Sequence, residues 1–151
     1  ADLKAAMEDG SVAAYVTDFP TEEVINTPGI VAIPHLGAST IESEDNCAAM
    51  AAHELIDYLE NGNITNSVNY PSVFMPRTAD HRIVILHKNI PNMISIISST
   101  LAKESINIEN MANRSKGDYA CTLIDTASEV SAAAIDSILA AEGIIRVLTV
   151  F

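Results

Sequence analysis

The segment Pro34-His35-Leu36-Gly37-Ala38-Ser39-Thr40 combines a titratable side chain with a run of small residues. It follows the apolar run 30–33 and precedes a helical pattern, and parallel α/β sheets bind ligands where a strand passes into a helix. A histidine accepts and donates protons near neutral pH, so it can act as a general acid or base. Gly37 lets the backbone approach a ligand closely. The pattern alone also allows His35 a purely structural role.

A second candidate site is the turn His87-Lys88-Asn89-Ile90-Pro91, where an apolar run ends and a helical pattern begins. An asparagine amide offers both a hydrogen-bond donor and an acceptor to a bound ligand. Free N–H groups at the start of the following helix favour a carboxylate. The residue pattern alone equally fits Asn89 as a helix cap and Asn107 as a residue at a strand edge.

The first part of the chain, 1–67, has the pattern of an incomplete α/β domain. Its first helix ends at Gly10, and short strands are predicted at 12–18 and 30–33, the second apolar throughout like a strand buried on both faces of a parallel sheet. Ser39 and Glu42 have the spacing of a capping box before a long helix. One stripe of that helix is apolar and comprises Ala48, Ala51, Ala52, Leu55 and Leu59. Two strands and two helices cannot close a core, so the segment is predicted to belong to a larger domain.

A linker is predicted at 68–80, and its apolar segment 73–75 is expected to dock on a neighbour. The remaining residues, 81–151, form a complete βαββαβ pattern, which is the ferredoxin-like arrangement. Its first helix is predicted to start at Pro91. Strands are predicted at 82–87, 106–113, 119–126 and 144–151, the second helix at 131–141, and a hairpin turn at 115–118. A domain of about 70 residues is marginally stable alone, so pairing with a second copy is expected.

The composition excludes several classes of function. The net charge is −12, with 20 acidic against 8 basic residues and no basic cluster, so nucleic-acid binding is not expected. No apolar run approaches the roughly 20 residues that cross a membrane. Cys47 and Cys121 lie in apolar stretches without a CxxC spacing, which predicts buried, reduced thiols and a cytoplasmic location. His53 and His81 have no partner at metal-ligand spacing, so no metal site is predicted.

Several motifs together closely resemble the D-2-hydroxyacid dehydrogenase superfamily. They are the segment 13–22 with Phe19-Pro20-Thr21-Glu22, the segment 34–40, the helix end at 55–62 and Asn66-Ser67-Val68-Asn69-Tyr70-Pro71. The last motif, followed by 81–151, resembles the D-3-phosphoglycerate dehydrogenase family and its ACT domain, an amino-acid-sensing module. The resemblance implies the C-terminal part of a Rossmann-type NAD-binding domain joined to an ACT domain. It also implies NAD-dependent oxidation of 3-phospho-D-glycerate to 3-phosphooxypyruvate, in L-serine biosynthesis.

The resemblance assigns roles to residues of the first part. His35 matches the catalytic acid/base, and His35, Leu36, Gly37 and Ala38 match the lining of the nicotinamide pocket. Asp18 resembles the aspartate that contacts the nicotinamide amide, although the family has one more residue before Phe-Pro. Glu22 matches the glutamate that orients the histidine, with Glu23 as the alternative. The sequence contains no GxGxxG motif and no arginine before His35, so this chain alone is predicted to be inactive.

In the second part, the resemblance assigns serine binding to His87, Asn89 and Asn107, with the enzyme as a homo-oligomer joined through its ACT domains. Asn92 stands where the family usually has glycine. This departure keeps open a dimerisation module without a ligand. A second alternative is an amino-acid-binding module without catalysis, in which the first part of the chain is only a remnant.

Overall fold

The computed structural model describes residues 2–150, so the parts of the predictions that fall on Ala1 and Phe151 lie outside the described residues. The chain forms two compact units that divide between Ala48 and Ala49. Among the described helices, none is long and apolar enough to cross a membrane. In chain order the elements of this range are α1 Asp2–Glu8, β1 Tyr15–Thr17, β2 Ile30–Ala32, α2 Ile41–Asn61, β3 His81–Lys88, α3 Met93–Lys103, β4 Ile108–Lys116, β5 Tyr119–Thr126, α4 Ala132–Leu139 and β6 Ile144–Val150.

In the first unit, β1 and β2 pair in parallel, with Tyr15 opposite Ile30. The predicted strands are therefore present, but the prediction that the second is buried on both faces is wrong. Val31 is 52% exposed and Val16 is 58% exposed. The reason is that, within residues 2–48, these two strands pair only with each other, and a two-stranded sheet cannot bury its own faces.

The helix α2 begins at Ile41, whereas a cap at Ser39 would make Thr40 its first residue. Because Ile41 is its first residue, Thr40 is the cap, and Thr40 Oγ1 accepts a hydrogen bond from the backbone N–H of Ser43 (3.2 Å). The prediction of a Ser39–Glu42 capping box is therefore wrong. No described residue of α2 is buried, so its apolar stripe is exposed.

The two cysteines differ in their surroundings. Cys47 lies on α2 and is exposed, so the prediction that it is buried is wrong, because its neighbours form part of the uncovered stripe. Cys121 lies on β5 and is buried, as predicted. Burial raises the pKa of the Cys121 thiol to about 12, which keeps it protonated and unreactive.

The second unit contains a four-stranded antiparallel sheet in the order β4-β5-β3-β6. With the element order βαββαβ, this is the ferredoxin-like arrangement predicted from the sequence. The helices α3 and α4 cover one face and form a core with alternate residues of the strands. The buried members of this core are Ile83, Ile85, Ile97, Leu101, Ile106, Ile124, Val130, Ala134 and Ile138.

The opposite face of the sheet is covered by the segment predicted as a linker. Val73 and Met75 are 3% exposed and pack with Val84, Leu86 and other strand residues, whereas Phe74 between them is 72% exposed. The segment 73–75 therefore docks on the sheet of its own chain. Because strand residues alternate between faces, the middle of β3, residues 83–86, is apolar throughout: Ile83 and Ile85 face the helices, and the other two face this segment.

A buried ion pair fastens the covering segment to the sheet. Arg82 donates to Asp125 through Nε (2.6 Å to Oδ1) and through Nη2 (3.0 Å to Oδ2), and both side chains are fully buried. Thr78 donates its backbone N–H and its hydroxyl to Asp125 Oδ2. The remaining N–H groups of the guanidinium reach the carbonyls of Asn61, Met75 and Pro76. All five guanidinium donors are thus satisfied.

Candidate functional sites

In the first unit, His35 lies beside a carboxylate and an aromatic ring. Its Nδ1 is 3.0 Å from Asp18 Oδ2, and the Phe19 ring meets the imidazole edge-on with the ring centroids 5.6 Å apart. The side chains of His35 and Asp18 are 61% and 48% exposed. Because Asp18 occupies Nδ1, Nε2 is the nitrogen available for proton exchange. This is the arrangement of a general acid/base whose ring is oriented by a carboxylate.

The structure places the other predicted residues of this site in exposed loops. The carboxylate partner of His35 is Asp18, and neither Glu22 nor Glu23 forms an ion pair with it in the described range. A Cβ added to Gly37 would meet no protein atom within 4 Å, so open space borders the backbone there. These residues fit at most the nicotinamide end of NAD, because the described unit has no glycine-rich loop for the pyrophosphate. The roles of Glu22, Asp18, Leu36 and Ala38 remain predictions.

In the second unit, the turn between β3 and α3 is held by the hairpin turn between β4 and β5. The backbone N–H of Asn89 donates to Asp118 O (2.8 Å), and its side-chain Nδ2 donates to Gly117 O (3.0 Å). The Asn89 side chain is exposed and keeps its amide oxygen and one N–H. The predicted role of Asn89 as a helix cap does not apply, because Asn92 is the residue at the cap position of α3.

The helix α3 begins at Met93, two residues after the predicted start at Pro91, because Asn92 has a left-handed backbone with φ of 70°. Glycine adopts this conformation most readily, and asparagine is among the few other residues that tolerate it. Asn92 therefore adopts a backbone conformation that a glycine at this position would also adopt.

His87 is buried in the second unit, with 2% of its surface exposed. Its Nδ1 lies 2.8 Å from Lys88 O and its Nε2 lies 2.9 Å from Thr122 Oγ1. Thr122 in turn donates to Asn113 Oδ1 on the neighbouring strand (2.8 Å). Both ring nitrogens thus form hydrogen bonds within the chain, and the bond to Thr122 connects the end of β3 to β5. Direct contact between His87 and a ligand remains a prediction.

Asn107 lies at the other end of the sheet from Asn89. Asn89 follows Lys88, which is opposite Tyr119 at the start of β5. Asn107 precedes Ile108, which is opposite Thr126 at the end of β5. Seven residue steps of about 3.4 Å separate the two ends, or about 20–25 Å. One copy of the unit therefore does not bring the two asparagines to the same ligand.

Two charged residues beside the turn, Lys88 and Asp118, were not among the predicted site residues. A cleft there is lined by Lys88, Asn89, Ile90, Asp118 and Tyr119. Lys88 lies between His87 and Asn89 of the predicted site, but Asp118 is about 30 residues further along the chain. The only available signal was its place in the predicted hairpin turn, and strand pairing was needed to bring the two together.

The order βαββαβ and the sheet order define the second unit as a ferredoxin-like domain, which is the fold expected of an ACT domain. The chain is similar to "D-3-phosphoglycerate dehydrogenase" of Escherichia coli (strain K12), at 27% identity over 145 residues, 88% of this chain and 35% of that protein. "D-3-phosphoglycerate dehydrogenase 2" of Saccharomyces cerevisiae is 30% identical over 114 residues, 72% of this chain and 24% of that protein. The predicted resemblance to D-3-phosphoglycerate dehydrogenases is therefore confirmed.

The chain spans about a third of the length of the curated relatives it matches. No family model matches the sequence. Among solved structures, the ACT domain from GTP pyrophosphokinase of Chlorobium tepidum aligns with 46% of this chain and 95% of its own length. That alignment has a TM-score of 0.38 and 18% sequence identity.

Proposed function

We propose that the second unit is a regulatory domain that binds L-serine between two copies, as part of an NAD-dependent D-3-phosphoglycerate dehydrogenase. The observation that carries the proposal is the placement of Asn89 and Asn107. Both present exposed amides, and they lie at opposite ends of the same sheet. The similarity to D-3-phosphoglycerate dehydrogenases supports serine as the ligand, since serine is the product of the biosynthesis to which that activity belongs.

Pairing through the edge strand β4 would complete the site. β4 has only β5 beside it among the described strands, so its other edge is open to a second copy. Antiparallel pairing of β4 with itself about a two-fold axis brings the start of one strand to the end of the other. Asn107 of one copy then lies near Gly117 of the other, and Gly117 O already accepts the Asn89 amide.

The charges of β4 favour the same pairing. Glu109 lies near its start, and Arg114 and Lys116 lie near its end. In an antiparallel pair, the acidic end of each strand meets the basic end of its mate, which favours this register over a parallel one. Met111, in the middle of the strand, is 41% exposed and would lie close to the two-fold axis.

A test of self-association uses Met111→Glu, which would place like charges near the two-fold axis of the pair. Leu139→Glu is the matched control, because Leu139 is 42% exposed and lies on α4. Sedimentation at tens of micromolar should give a dimer or larger for the wild type and the control, and a monomer for Met111→Glu. A monomeric wild type in the presence of serine would contradict the proposal.

Serine binding is tested by complementation between two variants. Asn89→Ala and Asn107→Ala should each weaken serine binding about ten- to hundredfold, since each removes a hydrogen bond of roughly 1.5–3 kcal/mol to a charged group. A mixed dimer of the two variants has one site with both asparagines and one with neither. Calorimetry of the isolated mixed dimer should therefore show half the wild-type number of sites. No recovery, with both variants folded, would contradict a site shared between copies. If the wild type binds no serine at millimolar concentration, the domain is an assembly module.

The proposed catalytic role of the parent enzyme rests on His35. Bound NAD would supply the acceptor for the hydride that leaves C2 of 3-phospho-D-glycerate. His35 would take the proton of the 2-hydroxyl on Nε2, and Asp18 would stabilise the resulting imidazolium across its 3.0 Å contact. The same proposal makes the first unit the C-terminal end of a Rossmann-type NAD-binding domain.

A further inference from the structure

The turn that carries Asn89 is held rigidly on two sides. The backbone N–H of Lys88 donates to Gly143 O (2.7 Å), and that of Ile90 donates to Lys88 O (3.0 Å). On the other side, Asn89 is bonded twice to the hairpin turn at 117–118. Gly143 packs so closely that an added Cβ would lie 2.8 Å from Ile90 Cδ1. The walls of the adjoining cleft are therefore formed before any ligand binds.

Two opposite charges line this cleft without neutralising each other. Lys88 lies at the end of β3, and Asp118 lies in the turn that precedes β5; both side chains are exposed. Within residues 2–150, the ion pairs formed involve His35 with Asp18 and Arg82 with Asp125, so neither Lys88 nor Asp118 has a charged partner there. The Asn89 amide lies in the same cleft, and Ile90 and Tyr119 supply apolar surface.

We infer that Lys88 and Asp118 bind the two charged groups of the amino acid, Lys88 its carboxylate and Asp118 its α-ammonium group. The inference rests on the proposed serine site and extends it to residues that select the class of ligand. A ligand with both charges satisfies both side chains, whereas a ligand with one charge leaves the other side chain unpaired. Asp118 would also repel phosphorylated acids, so the site would reject the anionic substrate proposed for the parent enzyme while accepting an amino acid.

The test pairs each variant with a ligand that lacks the corresponding charge. Ethanolamine is serine without its carboxylate, and 3-hydroxypropanoate is serine without its ammonium group. Lys88→Met should weaken serine and 3-hydroxypropanoate about five- to tenfold and leave ethanolamine unchanged. Asp118→Asn should weaken serine and ethanolamine by a similar factor and leave 3-hydroxypropanoate unchanged. Binding is followed by NMR titration of the 151-residue chain, which measures millimolar affinities.

Two exposed residues of the same types, each on a helix of the same unit, provide matched controls: Lys103→Met and Asp136→Asn. Both should bind all three ligands like the wild type. If serine binds but Lys88→Met and Asp118→Asn do not alter its affinity, or if they weaken all three ligands equally, the inference is wrong and the serine site stands. If the wild type binds no serine, the proposed function is wrong as well.

Discussion

Removing the charge of Asp125 should destabilise the second unit more than any change to an exposed carboxylate. Asp125→Asn keeps the shape of the side chain but leaves the Arg82 guanidinium buried without a counter-charge. Breaking a buried ion pair on one side costs about 3–5 kcal/mol. A domain of about 100 residues has a total stability of about 5–15 kcal/mol, so the loss is a large fraction of the whole.

Protonation of Asp125 should have the same effect as the substitution. Burial alone would raise the pKa of Asp125, but hydrogen bonds from Arg82 and Thr78 and the Arg82 charge outweigh it, so its pKa is lowered. The stabilisation is therefore fully present above the unfolded-state pKa of about 3.9, and it is lost as the pH falls through the lower, folded-state pKa. Asp125→Asn should lack this part of the acid dependence.

Urea unfolding and thermal melting measure both effects. At neutral pH, Asp125→Asn should lower the midpoint temperature by at least about 12 °C, taking 3 kcal/mol and about 4 °C per kcal/mol. Glu129→Gln is the control, because Glu129 is exposed and lies shortly after the same strand, and it should change stability by no more than about 0.5 kcal/mol. A loss below about 1 kcal/mol for Asp125→Asn would refute the argument that the buried pair holds the covering segment on the sheet.

Two further predictions concern single side chains. In the full-length enzyme, His35→Ala should lower kcat at least about a hundredfold without changing the dissociation constant of NAD, because a proton-transfer group acts mainly in the transition state. A steady-state kcat within about tenfold of the wild type would remove His35 from this role. A small thiol reagent at pH 8 should modify Cys47 and spare Cys121 until the chain is unfolded, since only Cys121 is buried with a pKa of about 12. Mass spectrometry of the labelled peptides measures this, and equally fast labelling of both would contradict the assigned burial.

The sequence by itself determined the order and type of the elements in the second unit. The period of its apolar residues predicted all four strands and both helices, because strand and helix patterns are set by neighbours along the chain. The hairpin turn and the left-handed Gly143 that follows α4 agree with local backbone preference, but α4 itself ends at Leu139, two residues before its predicted end. The family motifs predicted the relatives that were found. Errors fell at boundaries: Asn92, in a left-handed conformation that the pattern does not reveal, delays α3 by two residues.

Tertiary structure alone decided which residues meet. Arg82 and Asp125 are 43 positions apart, and only the pairing of β3 with β5 brings them together. The same pairing separates Asn89 from Asn107, although the sequence motif treats them as one site. An apolar pattern also does not say whether a partner covers it: the segment 73–75 is covered by the sheet, whereas the α2 stripe is exposed. Burial and charge pairing depend on contacts between distant segments, and the local periodicity of a sequence does not determine those contacts.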